Sequence, residues 1–337
     1  MRAVVCRELG PPSALRVEDV PTPEVRPGGL VVEVEAAGVN YVDALFIQGR
    51  YQIKPPLPFT PGSEIAGTVT AVGEGVTDWR IGDRALAMCG LGGFAEQVSI
   101  SAASASPVPA NLDAARAATF TQSYCTALFA LRDRAAVTAD DAVLVLGAGG
   151  GVGLAVIDVA RALGARTIAA ASSAAKRDAA RALGADAVID TSSENLKDQA
   201  RTLARELAEA AAPGSGAAVT GVDVVVDPVG GELADAALRS LGEGGRYVVI
   251  GFAAGAIPAL PANQILLRNR SVLGVDWGAW AMAHGDEQQA LLASLLDLVA
   301  TGALHPVAPS TYRMERVGEA LDDLLERRVV GKVALVR

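Results

Sequence analysis

The sequence predicts an α/β protein built in two parts, a β-rich part and a doubly wound parallel sheet with helices on both faces. Three observations predict it. Up to about residue 110, short β-type runs such as "LVVEVEAAGVN", "EIAGTVTAVGEGV", "DRALAM" and "FAEQVSI" are separated by Pro and Gly. From about Asp113, alanine-rich helical stretches alternate with short, continuously apolar runs, which is the grammar of βαβ units and of a sheet buried on both faces. Between one such run and one such helix lies "LGAGGGVGLA", a turn too small for side chains. The 337 residues suit about two domains at ~100–200 residues each.

Each element follows from these patterns. Alternation as in "VVEVEA" predicts an antiparallel sheet or barrel with one wet face. In the second part, strands are expected at "AVLVLG" (142–147), "RTIAAAS" (166–172), "AVID" (187–190), "VDVVVDPVG" (222–230), "RYVVIGF" (246–252) and "RSVLGVD" (270–276). Helical patterns such as "GLAVIDVARALG" and "SAAKRDAARALG" fall between them. After Asp276 come a helix ("DEQQALLASLLDLVATG"), a β-like return ("HPVAPSTYRM"), another helix ("MERVGEALDDLLERR") and a last strand, "GKVALVR". If these rejoin the amino-terminal sheet, the first domain comprises residues 1–115 completed by 278–337, and the second 116–277.

Composition excludes several classes of function. The 29 basic and 38 acidic side chains leave a net charge of −9, which repels nucleic acid and anionic membranes. Three scattered cysteines, Cys6, Cys89 and Cys125, form no CxxC pair and so neither a disulfide framework nor a zinc cluster. An acidic residue by position 8 and the lack of a continuous apolar core argue against a secretory signal. The uncharged stretch 142–157 falls short of the ~18 apolar residues of a spanning helix and is interrupted by glycines. A cytoplasmic protein is expected.

The glycine turn carries the chemistry. The first N–H groups of a helix lack internal partners and sit at the positive end of its dipole, so strand, glycine turn and helix together make a pyrophosphate site. In the G-x-G-x-x-G frame, Gly150 and Gly153 fill the second and third positions while Ala148 stands at the first. Such glycines also serve close helix packing. The next strand does not end in the acid that would bind the ribose 2′-hydroxyl of NAD; it ends "AAASSAAKR". Hydroxyls at Ser172 and Ser173 followed by the cation Lys176 suit a 2′-phosphate, which favours NADPH; the same residues also read as an N-cap opening a helix with a solvated lysine on its first turn. Asp227, before Pro228, reads as a ribose contact or a turn former.

The residues "AAGVNYVDALFIQGRY", "PFTPGSEIAGTVTAVGEGV", "GDRALAM", "LGAGGGVGLA", "KRDAARALGAD", "VDVVVDPVGG", "VVIGFAAG" and "GKVAL", in this order, resemble the medium-chain dehydrogenase/reductase superfamily over essentially the whole chain. The closer resemblance is to its zinc-free quinone oxidoreductase branch, the zeta-crystallin-like proteins. The resemblance implies a GroES-like β-rich catalytic domain, a Rossmann domain, a cofactor cleft between them and a homodimer. It assigns Thr126 to the nicotinamide amide or ribose, and Gly149, Gly150, Gly151 and Val152 to the pyrophosphate. It also places Gly251 and Phe252 beside the nicotinamide and Lys332 near the adenosine phosphate. Where many relatives carry a tyrosine after the third strand of the second domain, this chain has Asp190 and Thr191.

In zinc-using relatives a Cys, a His-Glu pair and a further Cys or Asp hold a catalytic metal. Here the corresponding positions carry Asn40, Ser63 and a residue near Gln122, and the two histidines, His284 and His305, lie late in loop-like contexts, so no metal is expected. Hydride transfer to a simple ketone builds charge on one oxygen, which a metal would stabilise. Without one, the acceptor must disperse charge itself, as quinones and conjugated enones do.

The resemblance places Asn40, Asp43 and Tyr51 along the substrate cleft: Asn40 can donate to a developing oxyanion, and Tyr51 can donate a proton or stack on a planar ring. Each has a plainer reading, Asn40 as a turn residue, Asp43 as a helix cap and Tyr51 as a surface aromatic. Leu45 stands where some members have a second aromatic, and Trp277 or Trp280 can supply aromatic wall instead or plug a core. The leading expectation is an NADPH-dependent quinone reductase. An ene reductase of alkenals, enones or enoyl thioesters and a non-catalytic cofactor-binding protein are the alternatives.

Overall fold

The structure, a computed structural model, describes residues 1–193, 195–214 and 219–337. The loop expected at 210–219 lies partly outside them. The chain divides into two units, residues 1–122, 292–302 and 306–337 in the first, and 123–291 and 303–305 in the second.

The first unit is β-rich. Its strands are β1 (Arg2–Val5), β2 (Arg16–Asp19), β3 (Gly29–Val39), β4 (Glu64–Val72), β5 (Arg84–Met88), β6 (Gln97–Ser101) and β7 (Ala105–Pro107), with helices α1 (Tyr41–Ile47) and α2 (Ala114–Ala117). The helix α3 (Thr121–Leu128) begins in it. β1 and β2 pair as an antiparallel ribbon. The main sheet is mixed. β3 pairs antiparallel with β4 and β6, β4 with β5, and β5 with β7. Far along the chain, β14 (Ser310–Arg313), α11 (Val317–Leu325) and β15 (Val333–Val336) return to this sheet. β15 lies antiparallel to β3, with Val333 opposite Val39, and parallel to β14.

The wet face expected for β3 is absent from most of its length. It is buried at nearly every position, because the hydrophobic core and α2 pack on it. Leu30, Val32, Val34, Ile65, Val69 and Leu335 form the centre of this core, each such side chain contributing roughly 1.5–3 kcal/mol by leaving water.

The second unit contains β8 (Ala142–Leu146), α4 (Gly151–Ala162), β9 (Arg166–Ala171), α5 (Ala174–Ala182), β10 (Ala187–Asp190) and α6 (Leu196–Ala211). There follow β11 (Val222–Asp227), α7 (Leu233–Ser240), β12 (Leu241–Val249), α8 (Ala262–Leu266), β13 (Ser271–Gly274) and α9 (Trp277–Ala283). α10 (Gly285–Ala300) begins in this unit and ends in the first. All pairings are parallel, in the order β10-β9-β8-β11-β12-β13. This is a doubly wound Rossmann sheet, and the order reverses between β8 and β11, where ligands of such sheets bind. β8 is buried at every residue, as its unbroken apolar run requires when helices cover both faces. β12 starts five residues before "RYVVIGF", because Leu241 already pairs with Val222 of β11, ahead of a register shift between Val222 and Val224.

Buried charge stitches this unit. Asp158 of α4 is fully buried and accepts from Tyr124 Oη at 2.8 Å, Arg161 at 2.8 Å and the His305 N–H at 2.7 Å. Asp227 at the end of β11 accepts the Val229 and Gly230 N–H groups, each at 2.8 Å, and the Tyr247 hydroxyl at 2.5 Å. Both oxygens of Asp227 are thus engaged, so it is a turn former tied to the core. Tyr247→Phe is expected to lower the unfolding free energy by about 1–3 kcal/mol, the cost of leaving a buried carboxylate oxygen without its donor, as read from urea unfolding. An unchanged midpoint would refute this role.

Candidate functional site

Two clusters carry the residues singled out in the sequence, one in each unit. In the first unit, the register of three strands sets the geometry. β15 opposite β3 puts Lys332 beside the end of β3, and β4 opposite β3 pairs Glu64 with Gly38. Asn40 follows β3 directly and caps α1. The Lys332 ammonium donates to Asn40 Oδ1 and lies 3.7 Å from Glu64 Oε2. Asn40 Nδ2 donates to the same Glu64 oxygen at 3.1 Å, and the Gln122 N–H donates to Glu64 Oε1 at 3.1 Å. Lys332, which the resemblance assigned to the adenosine phosphate, therefore has its charge engaged inside this cluster.

Asp43 is fully buried and takes the Asn40 N–H on Oδ2 at 2.7 Å, closing a capping box. Its capping role is evident; less expected is that Oδ1, like Ser63 Oγ and Thr121 Oγ1, is buried without a hydrogen-bond partner among the described residues. Burial pushes the Asp43 carboxyl up to about 7, against the lowering effects of the Asn40 N–H and of Lys332. Burial also pushes the neighbouring Cys89 thiol up to about 12, which makes it a poor nucleophile. Tyr51 packs half-buried against this core, its ring edge-on to Phe46 with centroids 4.9 Å apart.

These residues do not fit a catalytic zinc. The amide of Asn40 and the hydroxyl of Ser63 stand where a thiolate and an imidazole would be needed, and an ammonium sits on the amide oxygen. Among the described residues no group of three His, Cys, Asp or Glu can hold a metal ion.

In the second unit, the glycine turn follows β8 at the reversal of strand order. Gly147 adopts φ +58°, so the sharp turn falls one residue before the frame position held by Ala148, and alanine is accommodated there. A Cβ on Gly153 would come within 2.4 Å of Gly147 O and 2.8 Å of Ala148 Cα, so only glycine lets α4 pack this closely on the turn. Gly150 caps α4 with no side-chain acceptor, leaving the N–H groups of Gly151 and Val152 without intrahelical partners. Such a cradle at a positive helix end fits a pyrophosphate.

The ends of β8, β11 and β12 converge here. A Cβ on Gly147 would meet Val229 at 2.7 Å, and the N–H groups of Ile250 and Gly251 donate to Asp227 O at 2.9 and 3.4 Å. Gly251 and the 38% exposed Phe252 thus stand at the same edge as Gly149–Val152. Ser173 Oγ caps α5 by accepting the Lys176 N–H at 3.4 Å, and Ser172 is exposed before it. The stem of Lys176 crosses Gly149 so closely that a Cβ there would lie 2.3 Å from it. The helix cap and a cation over the glycine turn are therefore one arrangement. Thr126 is buried on α3. Trp277 is 6% exposed, with its indole N–H on Gln288 Oε1 at 2.7 Å, which anchors the start of α9. Trp280 stacks on Phe129 at 4.6 Å.

The sequence reading passed over Glu64 as an acceptor and Arg177, which forms an ion pair with Asp190. The one local signal for Glu64 is an acid opening an apolar strand in "PGSEIAG"; nothing local marks Arg177 among the charges of α5.

The zinc-binding dehydrogenase family matches residues 151–296 and the alcohol dehydrogenase GroES-like domain residues 26–110. Quinone oxidoreductase-like protein 2 of Bos taurus is 38% identical over 335 residues, covering 99% of this chain and 92% of the bovine one. The solved structure of Escherichia coli quinone oxidoreductase complexed with NADPH superposes with a TM-score of 0.87 at 25% identity, covering 100% of both chains. An NAD-dependent alcohol dehydrogenase superposes with a TM-score of 0.89 at 30% identity, again over 100% of both chains. The chain belongs to the medium-chain dehydrogenase/reductase superfamily, in its quinone oxidoreductase-like family, and is an oxidoreductase. Among the described residues no helix is long and apolar enough to cross a membrane.

The buried carboxyl of Asp43 is expected to make stability depend on pH. Its folded value is raised, so the stability it contributes is full below the ordinary carboxylate range of ~4 and is lost as pH rises through about 7. Asp43→Asn keeps an acceptor for the Asn40 N–H and cannot ionise. Its urea midpoint relative to wild type is expected to rise between about pH 5 and about pH 8; a constant difference would show that Asp43 does not titrate there.

Proposed function

We propose that the protein is an NADPH-dependent reductase that delivers hydride to a quinone or a similar electrophile. The observation that carries this reading is the cluster of Lys332, Asn40 and Glu64, where zinc-using relatives keep a metal. Hydrogen-bond donors held there stabilise charge less strongly than a Lewis-acid metal, which suits acceptors that spread their own charge over a conjugated system. NADPH, when bound, supplies the hydride.

The chain's own residues do the rest. The N–H groups of Gly151 and Val152 take the pyrophosphate, with Gly149 and Gly150 keeping the cradle open, and Lys176 with Ser172 and Ser173 takes the 2′-phosphate. Gly251, Phe252 and Thr126 line the nicotinamide end. In the first unit, Asn40 uses one Nδ2 hydrogen on Glu64 and keeps a second for an acceptor oxygen, while Asp43 holds its backbone. Tyr51 stacks on or protonates the acceptor. Trp277 serves the fold of α9, its ring closed off by Gln288.

Stopped-flow oxidation of bound NADPH with 1,4-benzoquinone and an enone offered separately tests the reading. Fast oxidation by the quinone supports it, and Asn40→Ala is expected to slow that step by about ten- to a hundredfold, the worth of one hydrogen bond to a developing charge. Oxidation by the enone alone would make the protein an ene reductase, and binding without oxidation by either would leave a non-catalytic cofactor protein.

The same reading includes a homodimer. Among the described residues β13 ends the parallel sheet with one edge unpaired, Val272 is 39% exposed, and Leu266 and Leu267 of the adjoining segment are 76% and 71% exposed. Light scattering is expected to give twice the chain mass for wild type and the chain mass for Val272→Lys combined with Leu267→Glu; a monomeric wild type would overturn it.

A further inference from the structure

The corner beyond the glycine turn holds a charge pair that the reading above leaves unused. β9 and β10 run parallel with Ala171 opposite Asp190, so the two strands end side by side immediately before Ser172. From the first turn of α5, Arg177 folds back over this end. Its Nη1 donates to Ala171 O at 3.0 Å and its Nη2 meets Asp190 Oδ2 at 2.9 Å, with side-chain exposures of 15% for Arg177 and 23% for Asp190. Asp190 Oδ1 in turn accepts the Ser192 hydroxyl at 2.6 Å and the Ser192 N–H at 3.0 Å.

These bonds fix a guanidinium that would otherwise swing through solvent. They use two of its five N–H donors, and its planar fork suits a phosphate better than a lysine does. The Ser192 hydroxyl first, then its N–H and Arg177, hold the Asp190 carboxyl below the usual carboxylate range, so it is an anion that would repel a phosphate unless Arg177 covered it. With Lys176 lying across Gly149, the corner carries two cations and one anion.

We propose that Arg177, held in place by Asp190 and the Ala171 carbonyl, is a direct ligand of the cofactor's 2′-phosphate and that the Arg177–Asp190 pair sets the preference for NADPH over NADH. Asp190 has two opposed effects in this arrangement. It orients the guanidinium and offsets part of its charge. Removing the carboxylate charge while keeping an acceptor oxygen therefore strengthens phosphate binding, and removing the guanidinium both deletes a ligand and uncovers an anion. The inference rests on the NADPH reading.

Calorimetric titration of the full chain with adenosine 2′,5′-bisphosphate and with adenosine 5′-monophosphate separates the two. Arg177→Gln is expected to weaken bisphosphate binding by about ten- to a hundredfold, the worth of a charge-assisted contact, with monophosphate binding unchanged. Asp190→Asn is expected to bind bisphosphate at least as tightly as wild type. The double variant is expected to remain weaker than wild type; recovery to the wild-type value would mean that Arg177 only neutralises Asp190 and would overturn the proposal. So would an Arg177→Gln chain that still discriminates between the two fragments as wild type does. Equal affinity of the wild-type chain for both would overturn the NADPH reading and this inference with it.

Discussion

The antiparallel pairing of β15 with β3 is the constraint on which the first unit depends. It joins a strand from the far end of the chain to the sheet and buries Val333, Ala334 and Leu335 in a core built largely from the first hundred residues. The same register carries Lys332 to Asn40 and Glu64. A fully buried Glu64 is costly unless a cation and hydrogen bonds accompany it, and here Lys332, the Asn40 amide and the Gln122 N–H provide both. Pairing of β15 and assembly of the polar site are therefore one event, since losing the strand would leave a buried carboxylate without its cation.

In the second unit the corresponding constraint is steric. A parallel sheet covered by helices must turn each strand end sharply into the next element, and at β8 the space allows no side chain at Gly153. Gly147 supplies the backbone reversal, and the bare amino end of α4 follows from it. Asp227 does the equivalent work at the end of β11 with side-chain acceptors instead of missing side chains. The edge where order reverses is thus shaped by backbone groups, an arrangement that suits a phosphate.

Family membership and residue chemistry speak to different questions. The zinc-binding dehydrogenase match describes descent, while the donors at Asn40 and Ser63 describe what this chain can hold. The similar folds include both an NADPH complex and an NAD-dependent enzyme, so the fold by itself does not decide cofactor preference.

Much of this was legible in the residues. Fold class, the six strands of the parallel sheet and the glycine turn are written in short segments, because periodicity and turn chemistry are local properties. The cap at Ser173 and the cation at Lys176 belong to the same class. The start of β12 was not legible, because pairing with β11 overrides the weak strand preference of "LGEGG". The burial of β3 was likewise hidden, since alternation cannot reveal what will cover its other face. What only the tertiary structure decided are the charge partnerships: Lys332 with Asn40, 292 residues apart, and Arg177 with Asp190 across two strand ends. Those depend on strand register, which arises when distant segments bury their apolar faces together and which no single segment contains.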